Sequence, residues 1–128
     1  MVTKPKADAQ SLHTDVLQRF QSGDAAGARE LLRTAIRLNP NVAAYHANLA
    51  VVLKGIGSTE ERIALYRRAI VLDPNDPITH ANLAAVLSDT GDYPGAEEQA
   101  RIALAIDPDR AETWLNLGGG AGWPAALA

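Results

Sequence analysis

Apolar residues recur along this chain at helical spacing, in blocks separated by turn signals. His46, Leu49, Ala50 and Leu53 stand at i, i+3, i+4 and i+7, on one face of a helix, and His80, Leu83, Ala84 and Leu87 repeat the set. Tyr66, Ala69 and Ile70, and again Ala100, Ala103 and Leu104, form matching faces on the helices that follow. Breakers lie between the blocks. Asn41 caps a helix running to about Lys54, and the glycines in 55–57 end it. Ser58 and Glu61 make a Ser-x-x-Glu capping box for the next helix. That helix stops near Leu72, because the residue before Pro74 is pushed out of the helical region. Asp76 caps a further helix with Pro77 at its first position, and Gly91-Asp92 turns the chain into one covering 93–105. Upstream, helices fall at about 9–21 and 25–38, with Asp24 as the cap between them. The pattern predicts an all-α chain of helix pairs.

The pairs are copies of one unit. Pro40, Pro74 and Pro108 are 34 residues apart, as are Gly23, Gly57 and Gly91, and Ala35, Ala69 and Ala103. His46, His80 and Trp114 form another such column, and so do Leu49, Leu83 and Leu117. One helix pair buries only part of its apolar surface, so the pairs must stack. Ala at the crossing points permits a short distance between helix axes. The repeats divide as 9–42, 43–76 and 77–110, with a truncated fourth at 111–118, inside a repeat domain of 9–118. Residues 1–8 read as a tail. Residues 119–128 read as an irregular tail left by a truncation, a change of frame or an appended scar. The fourth unit has a first helix and no second one. Its Trp114 and Leu117 are expected to be covered by the tail, through Trp123 and Leu127, or by a second molecule.

Composition narrows the chemistry. Of the 128 residues 24 are Ala, which suits close helix packing better than a sheet. There is no Cys, so disulfides and Cys-based metal sites are excluded. A net charge of −3 leaves no electrostatic footprint for nucleic acid or an anionic membrane. No apolar run reaches the length of a membrane span, and the N-terminus lacks the apolar stretch of a signal peptide, so a soluble, cytoplasmic chain is expected.

The 34-residue period, the glycine between helices, the Ala of the second helix and the closing Asp-Pro resemble the tetratricopeptide repeat family. Trp114-Leu115-Asn116-Leu117-Gly118 is similar to that family's Trp-x-x-Leu-Gly opening. The resemblance implies a right-handed superhelix of stacked antiparallel helix pairs. It also implies that the first helix of each pair lines a concave groove that binds peptides or partner proteins. Two positions depart from the pattern. Arg62 stands where Ala28 and Ala96 put a small residue between helices, so Arg62→Ala is expected to stabilise. Asp15 takes the first-unit place of Leu49, Leu83 and Leu117, which admits a shifted register using Leu12, Val16, Leu17 and Phe20.

The column Asn48, Asn82 and Asn116 is the most informative for function. Asn is a mediocre helix former, so propensity does not explain its recurrence. Two residues past His46 and His80, it points away from the packing seam and toward the groove. A side-chain amide donates and accepts, which suits a peptide backbone of any sequence. The three asparagines resemble those lining the repeat arm of O-linked N-acetylglucosamine transferases, with Thr14 in the first-unit place. The alternative is that Asn is a frequent surface residue of this repeat. Ala44, Ala47, Val51, Ile78, Ala81 and Ala85 give a shallow, mildly apolar groove between them. Co-chaperones of the family grip acidic tails with Lys or Arg near the starts of first helices. Those positions here are Gln10, Ala44, Ile78 and Glu112, so that clamp is absent.

Other candidates read as structure. His46 and His80 fill a packing column with no carboxylate or Cys at ligand spacing, so no metal site is expected. Glu60-Glu61 and Glu97-Glu98 sit at helix starts, where carboxylates complement the dipole. Arg33, Arg67 and Arg101 read as a solvated face, with Glu97 and Arg101 an i, i+4 pair. No catalytic constellation and no cofactor motif appears. The expectation is a non-enzymatic module that binds a protein or peptide in its groove, with no nucleic acid and no membrane as partner. The alternatives are a substrate-presenting arm of a larger enzyme such as a glycosyltransferase, or a scaffold that self-associates through its open C-terminal repeat.

Overall fold

The computed structural model describes residues 5–110. Six helices follow one another: α1 (Pro5–Gln21), α2 (Ala25–Leu38), α3 (Ala43–Val52), α4 (Thr59–Leu72), α5 (Pro77–Asp89) and α6 (Tyr93–Ile106). A single 3₁₀ turn, Pro108–Arg110, closes the described residues, and no strand occurs among them. Each helix packs chiefly on its neighbours in sequence, as expected when pairs are stacked in a line. α1 opens at Pro5, so it takes in residues that the periodicity assigns to the tail. The fourth unit and the 119–128 tail lie outside the described residues.

The core is continuous from pair to pair. Leu49, Val52 and Leu53 of the second pair join Val16, Ala28 and Leu32 of the first. Leu83, Val86, Leu87 and Ala96 of the third join Ala50 and Tyr66 of the second. Ala28, Ala50, Ala84 and Ala96 have no exposed surface, so the small residues do sit at the closest approaches. α1 keeps the common register: Leu12 and Val16 pack inward, in the His46 and Ala50 columns. Leu17 and Phe20 stay outside, 46% and 39% exposed. Asp15 is exposed because its column reaches back toward a preceding pair, and none stands there among the described residues.

The caps explain most boundaries. Asp24, Asp76 and Asp92 each accept a backbone N–H from the first turn of the helix they open, at 2.8–3.0 Å. Ser58 accepts from the Glu61 amide at 3.0 Å, but the Glu61 carboxylate turns to Arg33 on α2, 3.0 Å away, so only half of the capping box forms. This ion pair ties the first helix pair to the second and corrects the reading of Arg33 as part of a merely solvated face. Arg67 is exposed, and Arg101 pairs with Glu97 along α6 at 3.1 Å.

α3 departs furthest from expectation. Its cap is Val42, which offers no side-chain acceptor, and the Asn41 side-chain oxygen accepts from Arg68 at 3.4 Å instead. The helix ends at Val52 rather than Lys54, three residues short of its counterpart α5. The left-handed backbone of the turn moves with it: φ is +90° at Gly23 and +87° at Gly91, but here it falls on Gly55 at +89°. Gly57 keeps its column for another reason, since a Cβ there would lie 2.9 Å from Leu53. Gly55 turns the chain where α5 carries Asp89, and Arg62 meets the end that results. Its Nε donates to the Ala50 carbonyl at 2.8 Å, while the Lys54 amide, which an unbroken helix would bring to that carbonyl, bonds to Val51. Arg62 thus caps a carbonyl that the early end of α3 leaves without its helical partner.

The cap of α2 carries a pH dependence. The Gly27 amide, and then the Arg19 guanidinium, hold the Asp24 carboxyl below the usual carboxylate range. A carboxyl depressed in the fold stabilises it above the unfolded pKa of about 4, and loses that contribution as pH falls through the folded value. The stability deficit of Asp24→Ala is therefore expected to be full at neutral pH and to shrink below about pH 4, as thermal melts across the acid range would show.

Candidate functional site

α1, α3 and α5, the first helices of the pairs, build a row of hollows. The hollow between α1 and α3 is lined by His13, Val16, Leu17, Phe20, Asn48, Val51 and Val52 and is almost wholly apolar. Beside it, Leu12, His13, Val16, Leu32, Ala44, Tyr45 and Asn48 surround a second space of about 160 Å³. The largest, about 250 Å³, lies between α3 and α5, lined by Val51, Lys54, Arg62, Tyr66, Asn82, Ala85, Val86 and Asp89. Asn48 and Val51 each belong to two hollows, so the row forms one track.

The predicted residues divide clearly. Asn48, Asn82, Ala44, Val51 and Ala85 all line the track. Thr14 is exposed on α1, and Ile78 is 47% exposed at the start of α5, and neither lines these hollows. Asn116 lies outside the described residues. Ala81 does not belong to the groove: it is 1% exposed and packs with Ala103 in the core. His13, Leu17 and Phe20 escaped the groove reading, although Leu17 shares a 34-residue column with Val51 and Ala85. Lys54, Arg62, Tyr66 and Asp89 escaped it too, since Arg62 and Tyr66 reach the hollow from α4, a second helix of a pair.

Asn48 and Asn82 are half-buried, and among the described residues neither side-chain amide is hydrogen-bonded to another group. Each therefore keeps donors and an acceptor on the wall of the track, Asn48 beside an apolar hollow and Asn82 beside a charged one. Tyr66 closes the floor of the third hollow at 1% exposure. Burial pushes its hydroxyl above the usual phenol range, against the opposing effect of the Arg62 charge and hydrogen bond.

His46 and His80 are structural. Nε2 of His46 lies 2.7 Å from the Pro40 carbonyl and Nε2 of His80 lies 2.8 Å from the Pro74 carbonyl, so each imidazole donates there and ties a closing proline to the next helix. Nδ1 of His80 meets the Gln99 amide at 2.7 Å. Leu65 holds the corresponding place for His46, whose buried Nδ1 has no partner. Among the described residues no group of three or more His, Cys, Asp or Glu side chains is arranged to hold a metal ion. No helix among them is long and apolar enough to cross a membrane.

Two family models, both described as tetratricopeptide repeat, match residues 17–77 and 65–98. The chain belongs to the tetratricopeptide repeat family. Its all-α stack of helix pairs is the solenoid of that family, and solved structures share it. A Thermobaculum terrenum O-GlcNAc transferase superposes with a TM-score of 0.81 over 91% of this chain at 24% identity. The chain spans only 22% of that transferase's length. The Yersinia enterocolitica type III secretion chaperone SycD, in complex with a peptide of the translocator YopD, gives 0.77 at 18% identity, with 88% of each chain covered. The TPR2B domain of yeast Sti1, in its pHsp70 complex, gives 0.79 at 24% identity, with 88% of this chain and 94% of that one covered. No curated protein matches the chain in sequence.

Proposed function

We propose that this tetratricopeptide repeat chain is a non-enzymatic interaction module that holds an extended segment of a partner protein along the track of α1, α3 and α5. The observation that carries this reading is the pair of half-buried, unbonded amides, Asn48 and Asn82, set in equivalent places on α3 and α5 along one track. Successive helices lie roughly 8–10 Å apart. An extended chain rises about 3.3 Å per residue, so the amides suit backbone groups about three residues apart and tolerate many side chains between. Support comes from two solenoids of this fold solved with partners, SycD with a peptide of YopD and the Sti1 TPR2B domain in its pHsp70 complex. Arg or Lys is missing from Ala44 and Ile78, so a clamp for a terminal carboxylate at the starts of α3 and α5 is not part of this reading.

A second reading has one specific support. The chain superposes on a piece of a glycosyltransferase, and its asparagines recur with the repeat, so the same track would present substrate segments if the chain were the arm of a longer enzyme. The two readings share the track and differ in what adjoins it.

Two amide contacts of about 1 kcal/mol each predict that the double variant Asn48→Ala, Asn82→Ala loses roughly 30-fold in affinity for groove-bound peptides. Its melting temperature should hardly change, since neither side chain is bonded within the fold. Arg67→Ala, on the exposed side of α4, should bind like the parent. Titration of all three proteins against peptides selected on an array checks this. Equal affinity in the Asn variant, or selective loss in the Arg67 variant, would move the site elsewhere.

A further inference from the structure

Arg62 raises a question that the family pattern leaves open. It is half-buried, its Nε donates to the Ala50 carbonyl at 2.8 Å, and it lines one hollow with Tyr66. That carbonyl is a neutral partner. Among the described residues no carboxylate pairs with Arg62, nor with Lys54 beside it. Asp89 lines the same hollow without pairing with either cation. Buried or half-buried charges are ordinarily matched by a counter-charge, because removal from water is costly. A guanidinium carries five N–H donors, and the Ala50 carbonyl leaves several of them unused. The hollow of about 250 Å³ has room for a side chain, and two cations outnumber its one anion.

The track fixes where such a side chain would come from. Val51 lines both this hollow and the apolar one against Leu17 and Phe20. The two hollows are thus one helix step apart, which an extended chain covers in about three residues. We propose that the groove recognises a segment with a large apolar side chain in the α1–α3 hollow and an acidic side chain about three residues away, held by Arg62 and Lys54 in the α3–α5 hollow. The inference rests on the groove reading above. It adds a specificity determinant on α4, away from the helix starts at Ala44 and Ile78.

The test uses the full chain and an array of immobilised nine-residue peptides. Each has a central Leu, with Glu or Gln at one position two to four residues away on either side and small neutral residues elsewhere. Peptides with Glu about three residues from Leu should be retained about tenfold better than their Gln counterparts, the scale of one charge-assisted contact. Arg62→Gln should erase that preference while keeping retention through Leu. Lys54 and Asp89 are exposed, so their variants leave the fold intact and carry the test should Arg62→Gln melt early. Lys54→Gln should lower retention of Glu peptides, and Asp89→Asn should raise it about two- to threefold by removing the like charge. Leu-dependent retention with equal Glu and Gln signals, or unchanged Glu retention in both exposed variants, would overturn the acidic determinant and leave the groove reading standing. Retention of no Leu peptide would overturn the groove reading, and this inference with it.

Discussion

Tyr66→Ala should lower stability by about 3–5 kcal/mol, the range for truncating a large buried aromatic side chain. Tyr66 is among the largest fully buried side chains, at 1% exposure, and it packs in the cluster where Ala50, Leu83, Val86 and Ala96 meet. That cluster joins the second helix pair to the third. In a solenoid whose pairs touch only their neighbours, loss of one interface has no distant contact to offset it. Tyr66→Phe separates the ring from the hydroxyl. It removes only a polar atom beside Arg62 and should cost about 1 kcal/mol. Chemical denaturation of both variants checks the pair. A Phe variant as unstable as the Ala variant would place the stabilisation in the hydroxyl rather than in the packed ring.

Arg62→Ala should destabilise by about 1–3 kcal/mol, the cost of leaving buried polar groups unsatisfied. For a domain of this size each kcal/mol corresponds to a fall of roughly 4–8 °C in melting temperature. Repeat logic alone expects the opposite sign, because Ala28 and Ala96 fill the equivalent places and Ala is the better helix former. The magnitudes decide between them. Ala gains a few tenths of a kcal/mol in propensity, whereas removing Arg62 strips the Ala50 carbonyl of its side-chain donor. A raised melting temperature would mean that α3 regains its missing turn once the side chain is gone. Hydrogen exchange at the Lys54 amide would report that regrowth directly.

Helix positions and their stacking were legible in the residues because they rest on local rules repeated at a fixed period. α2 spans Ala25–Leu38 and α4 ends at Leu72, as the cap at Asp24 and the proline at 74 require. Leu49, Leu83 and the alanines at the crossings are buried, as helical spacing demands. Asn48 and Asn82 were placed on the track by their angle from the histidine column, a relation any helix preserves. What the columns left undecided lay where one unit differs from its copies. The sequence shows Arg62 in an Ala place, but it does not show that α3 would give up a turn, that the left-handed glycine would shift from 57 to 55, or that a charged hollow would open beside Asn82. Those outcomes depend on how α3 and α4 pack, since Arg62 meets the Ala50 carbonyl only once the two helices are in contact. Ala81 makes the same point, since only the approach of Ala103 removes it from the groove. Period and capping chemistry are properties of single segments and can be read from them. The yielding of α3 and the burial of Ala81 arise between segments, where close packing sets the result.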